Sequence, residues 1–260
     1  ANIFVVAVAA QQGEWEQLDA TIKQAQDALM GFRYSPKPVV SAPFGMALGG
    51  GAEVTMGASA VCAASELYIG QVEAGVGLVP SAGGCKELVR RVISPVIEKT
   101  PSADPLPFMQ QVFERIAMAK VSASAVEAQQ WGFLAPADRI VMNSEHLLHQ
   151  AKQMVLDMAA AGYRPTVRGK EIWAMGANGL AALEVAVWSF REAGYISEHD
   201  ALIASKTAHI LCGGKLSKPQ WVDPQYILDL EREAFLSLLG EQKTLDRIWH
   251  MLNTGKPLRN

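Results

Sequence analysis

Three glycines in a row, Gly49-Gly50-Gly51, stand between an apolar stretch and a helix-forming one, and they restrict the local fold more than any other feature of the chain. A residue without a Cβ enters backbone conformations closed to others and lets its N–H come close to a ligand oxygen. Upstream, Lys37-Pro38-Val39-Val40-Ser41-Ala42-Pro43-Phe44-Gly45-Met46 reads as a buried strand with proline at its mouth, and downstream Ala52 to Ala60 reads as a short helix. The first N–H groups of such a helix have no intrahelical partner and lie at the positive end of its dipole, which suits a developing oxyanion. Ala60 to Ile69 reads as a returning strand that brings Gly70-Gln71-Val72-Glu73 to the same end of the sheet. Glu53, in the first helical turn, and Glu73 then face one pocket, where two carboxylates can share one reactive water. Singly, each part has a plainer reading: a glycine run is often only a tight turn, and an early helical Glu often only serves the dipole.

Together they point further. Lys37-Pro38-Val39-Val40, Met46-Ala47-Leu48-Gly49-Gly50-Gly51-Ala52-Glu53, Tyr68-Ile69-Gly70-Gln71-Val72-Glu73 and Gly77-Leu78-Val79-Pro80-Ser81-Ala82-Gly83-Gly84 resemble the crotonase (enoyl-CoA hydratase/isomerase) superfamily. The resemblance implies an α/β fold, the crotonase-like spiral of ββα units, and a coenzyme A thioester as substrate. By it, the N–H of Gly50 is one half of the oxyanion hole, Gly49, Gly51 and Gly77 meet the substrate, and Glu53 and Glu73 match the two glutamates of hydratases. A polarised thioester makes the β-carbon of a 2-enoyl-CoA electrophilic. One Glu takes a proton from water and the other delivers one to the α-carbon, a syn addition. Burial and mutual repulsion are expected to raise at least one of the two pKa values.

The chain departs from the pattern in places. Val72 stands where many relatives have proline, and Cys85-Lys86-Glu87-Leu88 where Thr-Gln-Arg-Leu is common. The family's second oxyanion donor comes from a Ser-x-Gly-Ala-Asn/Asp loop, and this chain opens at Ala1-Asn2-Ile3-Phe4, which would make Ala1 that donor. The expectation is a fragment of a longer polypeptide, without a usable targeting segment.

Composition fits a soluble enzyme: 260 residues, 50% hydrophobic and 19% charged. No apolar run is long enough to span a bilayer. A net charge of −3 gives no reason to expect a nucleic-acid partner. Cys62, Cys85 and Cys212 are scattered, which suits a reducing cytoplasm and neither a disulfide framework nor a zinc site. Cys85, after a glycine pair, reads as a small buried residue or a reactive thiol. The five histidines, His146, His149, His199, His209 and His250, have no metal-ligand spacing and read as surface or capping residues, so no metal is expected.

Trp15, Leu18, Ile22, Ala25, Leu29 and Phe32 recur at steps of three and four, which predicts an amphipathic helix over Gly13 to Phe32. The proline-rich Pro101 to Pro107 is a loop. Phe108 to Lys120, Ala123 to Trp131 and Ser144 to Ala161 read as helices, with Ser122 or Ser124 and Ser144 as N-caps. Residues 1–162 are therefore assigned to the crotonase-like domain, lacking its first strands, and 163–260 to a helical C-terminal extension. In the extension, Leu180 to Ala193, Ser197 to Leu211 and Pro224 to Leu239 read as helices, with Ser197 as a cap and Cys212-Gly213-Gly214 as a stop. Lys206, Lys215, Lys218, Lys243 and Arg247 read as a solvated face or as contacts to the coenzyme A phosphates. Trp173, Trp188, Trp221 and Trp249 read as helix packing.

The tail, Asp229 to Gly240 and Met251 to Asn260, resembles the end of bacterial proteins that join an NAD-binding 3-hydroxyacyl-CoA dehydrogenase to a crotonase part. That resemblance implies a role in fatty-acid β-oxidation, with NAD bound only by the dehydrogenase part. The glycine run lacks a dinucleotide fingerprint, so no cofactor is expected in this chain. By analogy the partners are an acyl-CoA and either further copies of the chain or the dehydrogenase part. Three functions stay open: 2-enoyl-CoA hydration, enoyl-CoA isomerisation, and a non-catalytic acyl-CoA-binding or assembly module.

Overall fold

The computed structural model describes residues 2–260. Asn2 caps α1 (Ile3–Gln11) by accepting the N–H of Phe4, and α2 (Trp15–Arg33) follows after a turn at Gly13. The buried stripe of α2 is Leu18, Ile22, Gln26, Leu29 and Met30, whereas Trp15 and Phe32 are exposed. The stripe is thus rotated from the predicted one and takes in a glutamine.

The predicted strand at 37–46 is two short ones, β1 (Val40–Ser41) and β2 (Met46–Leu48). Pro43 has no N–H to give a ladder, and Gly45 turns with φ +58°. Then come α3 (Gly50–Gly57), β3 (Ala60–Ala64) and β4 (Tyr68–Gly70). The predicted strand at 60–69 is likewise divided, by the polar turn at Ser65-Glu66. β1 pairs in parallel with β3, and β2 with β4. The chain therefore visits one sheet, then the other, crosses over through a helix and repeats: a ββα spiral. Parallel neighbours need such a crossover, and α3 supplies it.

After a 3₁₀ turn at Glu73–Val76, α4 (Gly84–Leu88) runs through a π turn at Val89–Ile93 into α5 (Ser94–Lys99). Next are α6 (Leu106–Ala117), β5 (Val121–Ser122), α7 (Ala125–Trp131) and β6 (Arg139–Val141). β5 extends the β2–β4 sheet antiparallel to β4, and β6 extends the β1–β3 sheet parallel to β3. Ser124 caps α7 by accepting the N–H of Glu127. A 3₁₀ turn at Ser144–His146 leads into α8 (Leu147–Ala160), and its cap is Asn143 rather than the predicted Ser144.

The remaining chain is not wholly helical. β7 (Ile172–Ala174) pairs antiparallel with β8 (Gln220–Val222), around α9 (Gly176–Glu192) and α10 (Glu198–Leu211). Trp173 and Trp221 meet there edge to face at 5.3 Å. α10 opens with a capping box between Ser197 and Asp200. α11 (Pro224–Leu239) and α12 (Gln242–Thr254) close the fold. One hydrophobic core joins Met56, Ile69 and Leu88 to Leu211, Leu238 and Ile248. Among the described residues no helix is long and apolar enough to cross a membrane.

Candidate active site

The register of β2 on β4 sets Leu48 level with Gly70, so the chain leaves both strands side by side. The N–H of Gly49 donates to the carbonyl of Gly70 at 2.8 Å, which fastens the two exits together. Gly49 adopts φ +54°, ψ −118°, a conformation that favours glycine. From this turn α3 begins, with Gly50 and Gly51 exposed. Among the described residues their N–H groups have no protein acceptor, as expected of a first helical turn, whose first bonds here run from Ala52 and Glu53 to the carbonyl of Gly49.

Glu53 lies under this turn, only 4% exposed. Its Oε1 accepts the N–H of Ala82 at 2.8 Å and of Gly84 at 2.9 Å. Its Oε2 lies on the Gly50 side, 4.0 Å from the position of a Cβ on that residue. Glu73 approaches from the exit of β4: its Oε1 lies 2.6 Å from where a Gly49 Cβ would sit. The buried Gln71, with its amide nitrogen turned toward Glu73, donates to both carboxylate oxygens at 3.0 and 3.3 Å. The structure therefore brings Gly49, Gly50, Gly51, Glu53 and Glu73 together. Gly77 is spent elsewhere: it ends the 3₁₀ turn with φ +87°, and a Cβ there would lie 3.0 Å from the Cα of Thr244 in α12. Ala1 lies outside the described residues.

Burial raises the pKa of Glu53 against the two backbone donors. Burial first, and the charge of Glu53 second, push Glu73 up to about 8. The expected upward shift is thus present on both carboxyls. A third carboxylate, Glu231 of α11, is fully buried beside them, and its Oε2 and Oε1 accept the N–H groups of Gly83 at 2.6 Å and Lys86 at 2.8 Å. Burial, then Glu53, raises its pKa well above the ordinary value. Sequence reasoning missed Glu231 and Gln71. A signal for Glu231 was present, since it falls on the apolar stripe of Ile227, Ala234 and Leu238. Cys85 is fully buried, its thiol pushed well up by that burial and by the three carboxylates. Among the described residues no group of three His, Cys, Asp or Glu side chains is placed to hold a metal.

Two sequence expectations are corrected here. Arg247 is fully buried, donating to Asp200 at 2.7 Å and to Asn260 Oδ1 at 2.8 Å, so it is neither a solvated residue nor a phosphate contact. His199 is buried too, its Nε2 2.9 Å from Thr244 Oγ1, rather than on the surface.

Residues 7–99, which carry the glycine turn and both glutamates, match the family described as enoyl-CoA hydratase/isomerase. The fold is crotonase-like. A structure of an enoyl-CoA hydratase from Rhodobacter sphaeroides shares the fold with a TM-score of 0.64, covering 100% of this chain and 74% of that one at 16% identity. Over all 260 residues the crotonase-like chain is 45% identical to a Bacillus subtilis protein named "Probable 3-hydroxyacyl-CoA dehydrogenase", of which it spans 32%. A short-chain-enoyl-CoA hydratase of Clostridium acetobutylicum is 45% identical over 56 residues, 22% of each chain. This crotonase-like chain thus spans about a third of the dehydrogenase relative, and its likeness to the hydratase is local.

Proposed function

We propose that this chain hydrates 2-enoyl-CoA thioesters by syn addition of water, as the hydratase part of a multifunctional protein of fatty-acid oxidation. The observation that carries the reading is the convergence of Glu53 and Glu73 beside the N–H groups of Gly50 and Gly51, which have no acceptor among the described residues. In it, the N–H of Gly50 is one donor to the thioester oxygen and Gly51 meets the substrate beside it. Glu53, with Oε1 fixed by two N–H donors, turns Oε2 to the water and takes its proton. Glu73 keeps a proton until about pH 8 and delivers it to the α-carbon. The names and lengths of the relatives support the multifunctional setting. No NAD is assigned to this chain, and its partners in this reading are an acyl-CoA and either further copies or the dehydrogenase part.

The test follows loss of the enoyl-thioester absorbance of crotonyl-CoA and of a longer 2-enoyl-CoA. Glu53→Gln and Glu73→Gln should each lower kcat about 10²- to 10⁴-fold while the acyl-CoA is still bound. Unchanged turnover in either variant refutes the assignment, and acyl-CoA binding without any turnover by the unmodified chain favours the binding-module reading.

A further inference from the structure

We propose that Glu231 and Gln26 are positioning residues for Glu53: from two separate helices they clamp the ribbon Ser81–Lys86 in the register that presents the N–H groups of Ala82 and Gly84 to the Glu53 carboxylate. The inference rests on the hydratase reading of Glu53. Along this ribbon the donors alternate. Ala82 and Gly84 donate to Glu53, whereas Gly83 and Lys86 donate to Glu231 on the other side. Residue 231 therefore sets which N–H groups are left for residue 53. Gln26 of α2 fixes the start of the ribbon, since its Nε2 donates to the carbonyls of Ser81 at 2.7 Å and Leu228 at 2.8 Å. Its own amide is oriented by Arg232, whose Nη1 donates to Gln26 Oε1 at 3.0 Å. Gln26, Glu53 and Glu231 are all buried, so water cannot replace a lost contact. Neither can the ribbon slide, for Gly83 holds φ +119° and a Cβ on Gly84 would meet the Gln71 amide at 2.6 Å.

A clamp that merely joins α2, α4 and α11 would affect stability alone, whereas one that aims Glu53 acts on turnover. We would compare the full chain with Glu231→Gln, with Gln26→Met and with the exposed control Glu233→Gln. In folded Glu231→Gln and Gln26→Met, kcat for crotonyl-CoA should fall about 10- to 100-fold with KM changed less than about threefold, as for lost supporting contacts behind a reacting group, while Glu233→Gln keeps both values. By NMR, hydrogen exchange of the Ala82 and Gly84 amides should quicken about tenfold while that of Val61 and Cys62 in β3 stays unchanged. Unchanged kcat, or unchanged exchange at Ala82 and Gly84, in either folded variant overturns the proposal. Should Glu231→Gln not fold, Gln26→Met, which keeps all carboxylates, decides by the same two readings. If the unmodified chain shows no turnover, the hydratase reading fails and the exchange rates alone judge the clamp.

Discussion

Gly49 and Glu73 exclude any larger pair: a Cβ on residue 49 would lie 2.6 Å from Oε1 of Glu73. The backbone at 49 is left-handed as well, so alanine there must both strain the turn and displace the carboxyl. Gly49→Ala should reduce hydration at least about 100-fold, as expected when a reacting group is misplaced by about an ångström. It should also destabilise the fold by roughly 1–3 kcal/mol. Steady-state kinetics beside urea unfolding would check both, and a fully active variant would contradict the placement of Glu73.

The raised pKa of Glu73 has two consequences with the same sign. As the proton donor it is competent below about 8, so kcat/KM should fall on the alkaline side of that value. For stability, the folded state holds this proton between the ordinary value of 4.5 and about 8, whereas the unfolded chain has released it. Folding is therefore favoured at the acid end of the window, and the gain is lost as pH rises through it. Melting temperatures measured from pH 5 to 8.5 should decline, and less so in Glu73→Gln. A variant with the slope of the unmodified chain would remove Glu73 as its source.

Cys85 follows a glycine pair, as a reactive cysteine would, yet it is sealed in the core beside three carboxylates. Thiolate formation is opposed by burial and by like charge, so the native protein should resist iodoacetamide at pH 8 at this position. Cys62 and Cys212 are buried as well. Mass spectrometry should find all three unmodified until denaturant is added.

Arg247 bonds Asp200 and Asn260 from a fully buried position, and Ser197 Oγ lies 3.3 Å from its Nη2. Arg247→Met leaves the polar groups of a buried network short of donors and should cost about 3 kcal/mol, a value typical of breaking a buried ion pair. Acyl-CoA affinity of the folded variant should not change. A selective loss of affinity would restore the phosphate-contact reading of this residue.

How far the sequence reaches is seen by comparing Glu53 with Glu231. Glu53, Glu73 and the glycine turn were legible because their geometry is local: a strand must end, a glycine must take a left-handed conformation, and a helix must open within a few residues. The ββα repeat came with them through the resemblance. Strand lengths did not, since Pro43 and the Ser65-Glu66 turn divided runs that read as continuous.

Glu231 and Gln26 lie on ordinary amphipathic helices, 145 to 148 positions from the amides that Glu231 binds and 55 from the carbonyl of Ser81 that Gln26 binds. The apolar stripe on which Glu231 falls signals its burial, but which groups it bonds is set only when the neighbouring element that supplies its partners is in place. The same holds for Arg247, whose acceptors come from α10 and from the chain's last residue. By itself the sequence determined where the backbone must turn and which two carboxyls stand near that turn, because sterics and dihedral freedom act over short spans. Tertiary structure alone decided which buried polar groups satisfy one another around Glu53, because desolvation and hydrogen bonding depend on what packs opposite, whatever its distance along the chain.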